Sequence, residues 1–348
     1  MPIFTPSELR QVVHDVFSRL GASPEEVRRL QDHLVESNLL GHDSHGVWII
    51  PLYVDMIRQQ HIVLGAKPDV VIESSSHAVL DGNWGLGQLM GWLAARLAVD
   101  KARQGALAAV TLRNCSHLGR LGEYSQMIAR QGLIGFVAVN GQGGVQGVAP
   151  WGGLERRLSV NPMSYAIPAP DGVIMLDISP TVVAAGKVAV KALRGERVPE
   201  GWIVDSEGRS TTDPDAFEGP PPGSLVPLGG YKGYGLGLIV DILAGALSGG
   251  GCSRPDAGRW GNATFMLAIN PAAFGEQRAF ETEVKNFLAY VRSSRVAPGF
   301  EEVLIPGEPE AREKVRRSRA GIFVEDRTWS NITAILDELK RHSSERSL

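Results

Sequence analysis

Apolar residues recur at helical spacing from the start of the chain, where Leu9, Val12, Val13, Val16, Phe17 and Leu20 mark one stripe that Gly21 closes. Ahead of them Thr5-Pro6-Ser7-Glu8 has the spacing of a capping box with proline in the first turn, so a helix is expected from Thr5. Ser23-Pro24-Glu25-Glu26 repeats the signal, with Val27, Leu30, Leu34 and Asn38 on the inner face until Gly41. A third helix is expected through Pro51, Leu52, Tyr53 and Met56 to about Gln60, with Pro51 in its first turn. Two short apolar runs at Val70-Val71-Ile72 and Ala78-Val79-Leu80 read as a strand pair. A helix from Gln88 to about Gln104 and a strand from Ala106 to Leu112 follow.

Strand patterns then dominate: Leu133 to Asn140, Met163 to Ile167, Val173 to Ile178 and Ala263 to Ile269. The stretch Arg194 to Pro227 is rich in proline, glycine and charge and reads as surface loop with a short hairpin at Gly201 to Arg209. Leu236 to Leu247 is apolar on nearly all sides, which predicts a buried helix. Phe280 to Arg292 reads as a helix, Gly321 to Val324 as a short strand, and Ile332, Ile335, Leu336 and Leu339 share one face of a terminal helix. The basic cluster Arg312, Lys314, Arg316, Arg317 and Arg319 reads as a solvated helix face, and no partner is assigned to it.

Charge and composition narrow the function classes. In 348 residues, 35 Lys+Arg against 38 Asp+Glu leave a formal charge of −3, which gives no footprint for nucleic acid or a membrane surface. Cys115 and Cys252 are too few for a disulfide framework, and neither sits in a C-x-x-C pair. The first residues lack a basic segment followed by an apolar one, and the most apolar run is interrupted by Asp241, so a cytoplasmic place is expected.

Four polar, glycine-flanked stretches carry candidate chemistry. Gly41-His42-Asp43-Ser44-His45-Gly46 sets two imidazoles, a carboxylate and a hydroxyl at a helix-to-helix corner, suited to proton transfer or to a plain Asx-type turn. Arg113-Asn114-Cys115-Ser116-His117-Leu118-Gly119 ends a strand, where His117 can carry a proton or touch a ligand. Asp177 ends another strand, followed by Gly186-Lys187 at a helix start. Gly229-Gly230-Tyr231-Lys232-Gly233-Tyr234-Gly235 opens the apolar helix with free N–H groups and a lysine, which suits a phosphate. It lacks the Walker A spacing, and Gly85-x-Gly87 is followed by three residues before Gly91, so the Rossmann fingerprint fails too. A hydrolase triad of Ser44, His45 and Asp177 is disfavoured because Ser44 and His45 are adjacent and no nucleophile elbow exists. His42, Asp43 and His45 leave no room for a tetrahedral shell, so no metal is assigned. On the residues alone, a redox enzyme using a phosphorylated cofactor and a non-catalytic binding protein both stay open.

These stretches, in this order, together with Ala149-Pro150-Trp151-Gly152-Gly153, Asn161-Pro162 and Pro306-Gly307-Glu308, resemble the type II malate/L-lactate dehydrogenase family. The resemblance spans nearly the whole chain. It implies an α/β fold in the α+β sense that is not a Rossmann fold: a largely antiparallel cofactor-binding sheet, with a helical dimerisation lobe drawn from both chain ends. The implied division is 1–62 as a helical N-terminal lobe with the active-site corner, 63–117 completed by 293–348 as a substrate and interface lobe, and 118–292 as the NAD(P)-binding domain. The implied activity is hydride transfer between nicotinamide C4 and C2 of a 2-hydroxy or 2-oxo acid, with NAD and NADP both open and a homodimer as the assembly. Cyclic imino-acid reduction is the alternative within the class.

Carried over by position, the resemblance makes His45 the proton carrier, with Ser44 and Asp177 as relay partners and His117 as its rival. His117, Leu118, Gly119, Arg120, Leu121, Asn140, Leu176, Asp177, Ile178, Gly230, Tyr231, Lys232, Pro306, Gly307 and Glu308 would line the cofactor site. Two positions depart from the family pattern. Ile49 stands where S-H-G-V-x-R places the arginine that grips the substrate carboxylate, and Arg120 is the expected substitute. That exchange hints at a bulkier or aromatic acid. Val160, in Ser159-Val160-Asn161-Pro162, replaces the threonine of G-T-N-P and its hydrogen bond to the substrate region.

Overall fold

The two proline-led caps form as their spacing predicts. Thr5 caps α1 (Pro6–Arg19) and Ser23 caps α2 (Pro24–Leu39), each with the reciprocal glutamate bond of a capping box. The computed structural model describes residues 2–345 apart from 143, 145, 171, 256 and 257. After α2 the chain makes two single 3-10 turns, Asp43–His45 and Val47–Ile49, and enters α3 (Ile50–Arg58) with Pro51 in the first turn.

A seven-stranded sheet forms the centre, in the order β2-β3-β4-β11-β5-β6-β7. Its members are β2 (Asp69–Glu73), β3 (His77–Gly85), β4 (Leu107–Cys115), β5 (Ile134–Asn140), β6 (Met163–Ala169), β7 (Gly172–Ile178) and β11 (Asn262–Ile269). Only β3 and β4 run parallel, joined by α4 (Gly87–Gln104); every other neighbour is antiparallel. The expected boundary between 117 and 118 therefore falls inside one sheet, because β4 pairs with β11 along its length. Ladder hydrogen bonds cross that boundary, so the central strands are one unit rather than two domains.

Alternation along the strands separates two cores. Val110, Leu112, Val137, Val139, Met266 and Ala268 join α1 to α4, α5 (Gly122–Ala129) and the terminal α11 (Asp326–Glu345) in the larger one. Phe136, Ala138, Met163 and Ile178 point the other way and meet Val240 of α8 (Tyr231–Asp241). A third cluster lies in an excursion that contains α6 (Ala185–Leu193), β8 (Ile203–Val204), β9 (Ser210–Thr211), α7 (Asp215–Glu218) and β10 (Ser224–Leu225). The expected hairpin near Gly201 is β8-β9, to which β10 adds a third strand. The remaining elements are α9 (Gln277–Arg292), α10 (Glu308–Ala320) and a two-stranded ribbon of β1 (Ile3–Phe4) with β12 (Ile322–Phe323). No described helix is long and apolar enough to cross a membrane.

The apolar helix near Leu236 differs from its prediction. It starts earlier, at Tyr231, ends in a π turn at Ile242–Ala246, and only one side of it is buried. Gly233 faces Pro180 and Leu228, Gly237 faces Pro180, Val240 meets the sheet and Ala244 is buried, while Leu236, Ile239, Ile242 and Leu247 are exposed. All-round apolarity signals two covered sides, and this chain covers one.

Candidate active site

The corner after α2 is held from three directions. The Asn38 side chain accepts the Val47 amide at 2.9 Å and donates to Asp43 Oδ1 at 2.7 Å. Its carboxamide lies where a side chain at residue 46 would stand, which is why glycine is needed there. Arg317, from α10, donates to Asp43 Oδ1 at 2.6 Å, to Asp43 Oδ2 at 3.0 Å and to the Asn38 carbonyl at 2.8 Å. The first turn of α6 packs on the third side, against Ser44. Ser44 Oγ lies 3.1 Å from His45 Nδ1, which leaves Nε2 as the nitrogen turned from that contact.

Three aromatic rings extend the site. His45 and His117 stack with centroids 5.7 Å apart, and Trp260 lies on His117 at the same spacing. His117 Nδ1 is 2.8 Å from the Tyr53 hydroxyl. Gln88 Nε2 donates both to that hydroxyl at 2.8 Å and to the His117 carbonyl at 3.1 Å. The carbonyl fixes the amide's orientation, so Tyr53 receives one hydrogen from Gln88 and gives its own to Nδ1. His117 is thereby the Nε2–H tautomer.

Under the stack lies a buried dyad that the sequence reading missed. His33 is wholly buried, its Nδ1 2.5 Å from Glu123 Oε2, and its Nε2 accepts the Arg120 amide at 2.9 Å. With Nε2 accepting that amide, Nδ1 is the nitrogen that donates to Glu123. The ring fills the space beside Gly119, whose φ of +77° and lack of a side chain allow the approach.

Arg120 is 3% exposed, and among the described residues its Nε has no hydrogen-bond partner; Nη1 reaches only the Met175 sulfur, at 3.9 Å. Asp177 does not bond to this guanidinium: its Oδ2 accepts the Gly122 amide at 2.7 Å. Burial pushes the Asp177 carboxyl above its ordinary range, against the pull of Arg120 and of that amide. The structure thus sets Asp177 beside Arg120.

The imidazoles share one electrostatic setting. Burial, followed by repulsion from His117, His42, His33 and Arg120, holds His45 well below its ordinary pKa. His117 is lowered to about 4 by burial and then by His33. His42 is lowered to about 4 by burial and then by Arg120, Lys187 and Arg317, with Asp43 opposing them. All three are neutral at pH 7. His42 Nε2 is buried and, among the described residues, unpartnered.

Comparison with known proteins gives this constellation a context. The malate/L-lactate dehydrogenase family matches residues 4–333. The chain belongs to this family. An L-lactate dehydrogenase from Cupriavidus necator is 35% identical over 95% of this chain and 96% of its own length. The structure of a putative malate/lactate dehydrogenase from E. coli superposes with a TM-score of 0.91 at 31% identity, covering 97% of this chain and 96% of that one. A delta1-piperideine-2-carboxylate reductase from Pseudomonas syringae pvar. tomato superposes at 0.81 with 25% identity, over 96% and 100%. Family membership makes the protein an oxidoreductase of the hydroxy-acid dehydrogenase kind.

Against that family's expected sites, the residues separate clearly. Leu176, Asp177 and Ile178 lie on β7, the spine of the expected cofactor wall. Just before them the Met175 amide donates to the Pro306 carbonyl at 3.1 Å, and just after them the Pro180 carbonyl accepts the Leu228 amide at 2.9 Å. Pro306-Gly307-Glu308 thus meets the middle of β7, and the glycine stretch from Gly229 comes up just beyond its C-terminal end. A cavity of about 300 Å³ lies along the first half of the strand, lined by Met175, Pro306, Gly307 and Glu308. Beyond the C-terminal end Tyr231 meets Trp151 edge-on at 6.2 Å, Gly230 faces the same ring, and Lys232 is exposed.

Other expected wall residues face inward. Leu118 and Leu121 are core side chains. Asn140 is fully buried and donates to Asp241 at 2.9 Å and to the Gly251 carbonyl at 3.0 Å. Asp241 also takes hydrogen bonds from Asn161 and Ser253, so Asn140 belongs to a buried carboxylate network. Ile49 is buried in the large core, and Val160 packs on the cluster of the excursion. Val160 is only partly buried there. The basic cluster divides: Arg312, Arg316 and Arg319 are exposed as expected, whereas Arg317 grips Asp43 and Lys314 pairs with Glu36 at 2.6 Å.

Proposed function

We propose that the protein is an NAD(P)-dependent 2-hydroxyacid dehydrogenase in which His45 exchanges a proton with the substrate C2 oxygen. The observation that carries this reading is the neutral, stacked His45–His117 pair beside a buried arginine with an unpartnered Nε. A neutral imidazole is the form that accepts a proton from a hydroxyl, and Ser44 at Nδ1 directs Nε2 to that oxygen. Arg120 supplies a buried positive charge for the carboxylate, a substitute for the arginine absent at Ile49. His42 offers a further nitrogen to the bound acid.

The residues along β7 fit a dinucleotide. Glu308 lines the cavity with its carboxylate fixed by Arg292 and the Ile305 amide, its remaining lone pairs suited to ribose hydroxyls, and Lys232 stands on the first turn of α8 for a phosphate. Leu176 to Ile178 and Gly230 to Lys232 would hold the cofactor between these points. When bound, the nicotinamide supplies or takes up the hydride at C2. The chain's share is to orient the acid and to move the proton at His45 Nε2.

The exposed apolar side of α8 supports a homodimer, since Leu236, Ile239, Ile242 and Leu247 would be covered by a second copy. Ile49 adds no exposed apolar wall, so a bulkier or aromatic acid draws no support from that position. The likeness to a piperideine carboxylate reductase supports a cyclic imino acid as the second reading, with the same residues around the C2 centre. The test is oxidation of NADH and of NADPH by the purified protein with pyruvate, oxaloacetate, 2-oxoglutarate, phenylpyruvate and a cyclic imino acid. Turnover with an oxo acid supports the reading; turnover confined to the imine selects the second. Nucleotide binding in a thermal-shift assay without turnover on any of them would mark a binding protein instead.

A further inference from the structure

We propose that Arg317 is a positioning residue for the reaction: it holds the His42–Gly46 corner, and with it His45, in reacting geometry from a helix near the other end of the chain. The inference rests on the reading of His45 as proton carrier. Nothing in the corner's own sequence fixes it. His42 to Gly46 is one 3-10 turn without a side-chain cap, a geometry that by itself is weakly held. What holds it is a closed circuit of charge-assisted bonds. Arg317 engages both carboxylate oxygens of Asp43, at 2.6 and 3.0 Å, and uses the same Nη1 for the Asn38 carbonyl at 2.8 Å. Asn38 in turn donates to Asp43 and accepts from Val47, on the far side of His45.

The guanidinium is itself oriented. Its Nε donates to Glu313 Oε1 at 2.5 Å, one turn earlier in α10, and the Arg317 side chain is only 14% exposed. Lys314, in the same helix, pairs with Glu36 of α2 and seats α10 against the helix that leads into the corner. A bidentate fork on a planar carboxylate fixes angle as well as distance, which a lysine at the same place cannot do. Asp43 therefore serves as the handle, and its neighbours Ser44 and His45 follow it.

The test compares Arg317→Met, Arg317→Lys, Asp43→Asn and the double variant Arg317→Met/Asp43→Asn with the unaltered full chain, after circular dichroism has confirmed folding. Two readouts are taken. In steady-state kinetics with the best acid of the panel, Arg317→Met should lower kcat about 10- to 100-fold with KM and nucleotide Kd little changed, Arg317→Lys should recover part of the loss, and the double variant should be no worse than the poorer single one. In the second, without substrate or nucleotide, modification of His45 by diethyl pyrocarbonate, followed by peptide mapping, should run several-fold faster in Arg317→Met. Exposed His14 serves as the internal reference. Unchanged His45 reactivity together with unchanged kcat, or losses that multiply in the double variant, would overturn the proposal. A rise in His45 reactivity combined with full activity of a His45→Asn variant would leave the clamp standing and remove the proton-carrier reading instead.

Discussion

Two glycine-bracketed polar stretches look alike on paper, the corner Gly41–Gly46 and the loop Gly229–Gly235, yet the folded chain treats them in opposite ways. The corner is enclosed. Asn38, Arg317 and α6 grip it, and its histidines are depleted of protons by burial and neighbouring positive charge. The loop is open: Tyr231 and Lys232 are exposed, and the helix it begins presents bare leucine and isoleucine to solvent. A stretch gripped by its neighbours inside the protomer is built to hold a geometry. One whose groups face outward is left to be completed by something else, which in the proposed reading is a nucleotide on one side and a second copy of the chain on the other.

The contrast can be broken by substitution. The largest effect is expected at Arg120, where replacement by Met removes the buried charge for the acid: KM for the best substrate should rise about a hundredfold, the scale of a lost charge-assisted bond. Unchanged KM in steady-state kinetics would detach Arg120 from the substrate. In the open loop, Lys232→Ala should weaken nucleotide binding about tenfold in a fluorescence titration and leave the melting temperature unchanged, because an exposed lysine holds nothing in place. In the enclosed corner the order reverses. Asn38→Ala should lower stability by about 2 kcal/mol in urea unfolding, from a lost backbone partner and a buried gap. A stability loss at Lys232 as large as that at Asn38 would erase the distinction.

A further effect is in pH. His42 and His117 resist protonation down to about 4, whereas the unfolded chain takes up those protons near 6.5. Between these values the unfolded state binds more protons, so stability is full above 6.5, declines as pH falls towards 4 and levels off below it. Melting temperatures across that range should show the slope, and His117→Asn should make it shallower. An unchanged slope would mean that His117 does not contribute.

Much of this was legible from the chain alone, for identifiable reasons. Capping boxes, helical stripes and strand alternation are local signals, and α1, α2, β5, β7 and β11 formed within a residue or two of expectation. The corner and His117 stood out because polar residues bracketed by glycine are rare inside apolar patterns. What stayed hidden was pairing at long range. Arg317 with Asp43, His33 with Glu123, and Gln88 with Tyr53 join residues far apart in sequence, and no local pattern distinguishes a docked arginine from a solvated one. The apolar helix was misjudged for a related reason: hydrophobicity on all sides shows that a surface wants cover but not which molecule provides it. The sheet's order was hidden too, because strand order is not sequence order, and β11 returns to lie beside β4.

The central claim is that His45, and not His117, moves the proton. The most direct measurement is single-turnover hydride transfer with the best acid in His45→Asn and His117→Asn, alongside nucleotide affinity for each. The account predicts a loss of about 10² to 10⁴ in rate for His45→Asn with affinity retained, and a smaller loss for His117→Asn. A His45→Asn variant that turns over at the unaltered rate, with the loss falling on His117→Asn, would contradict it.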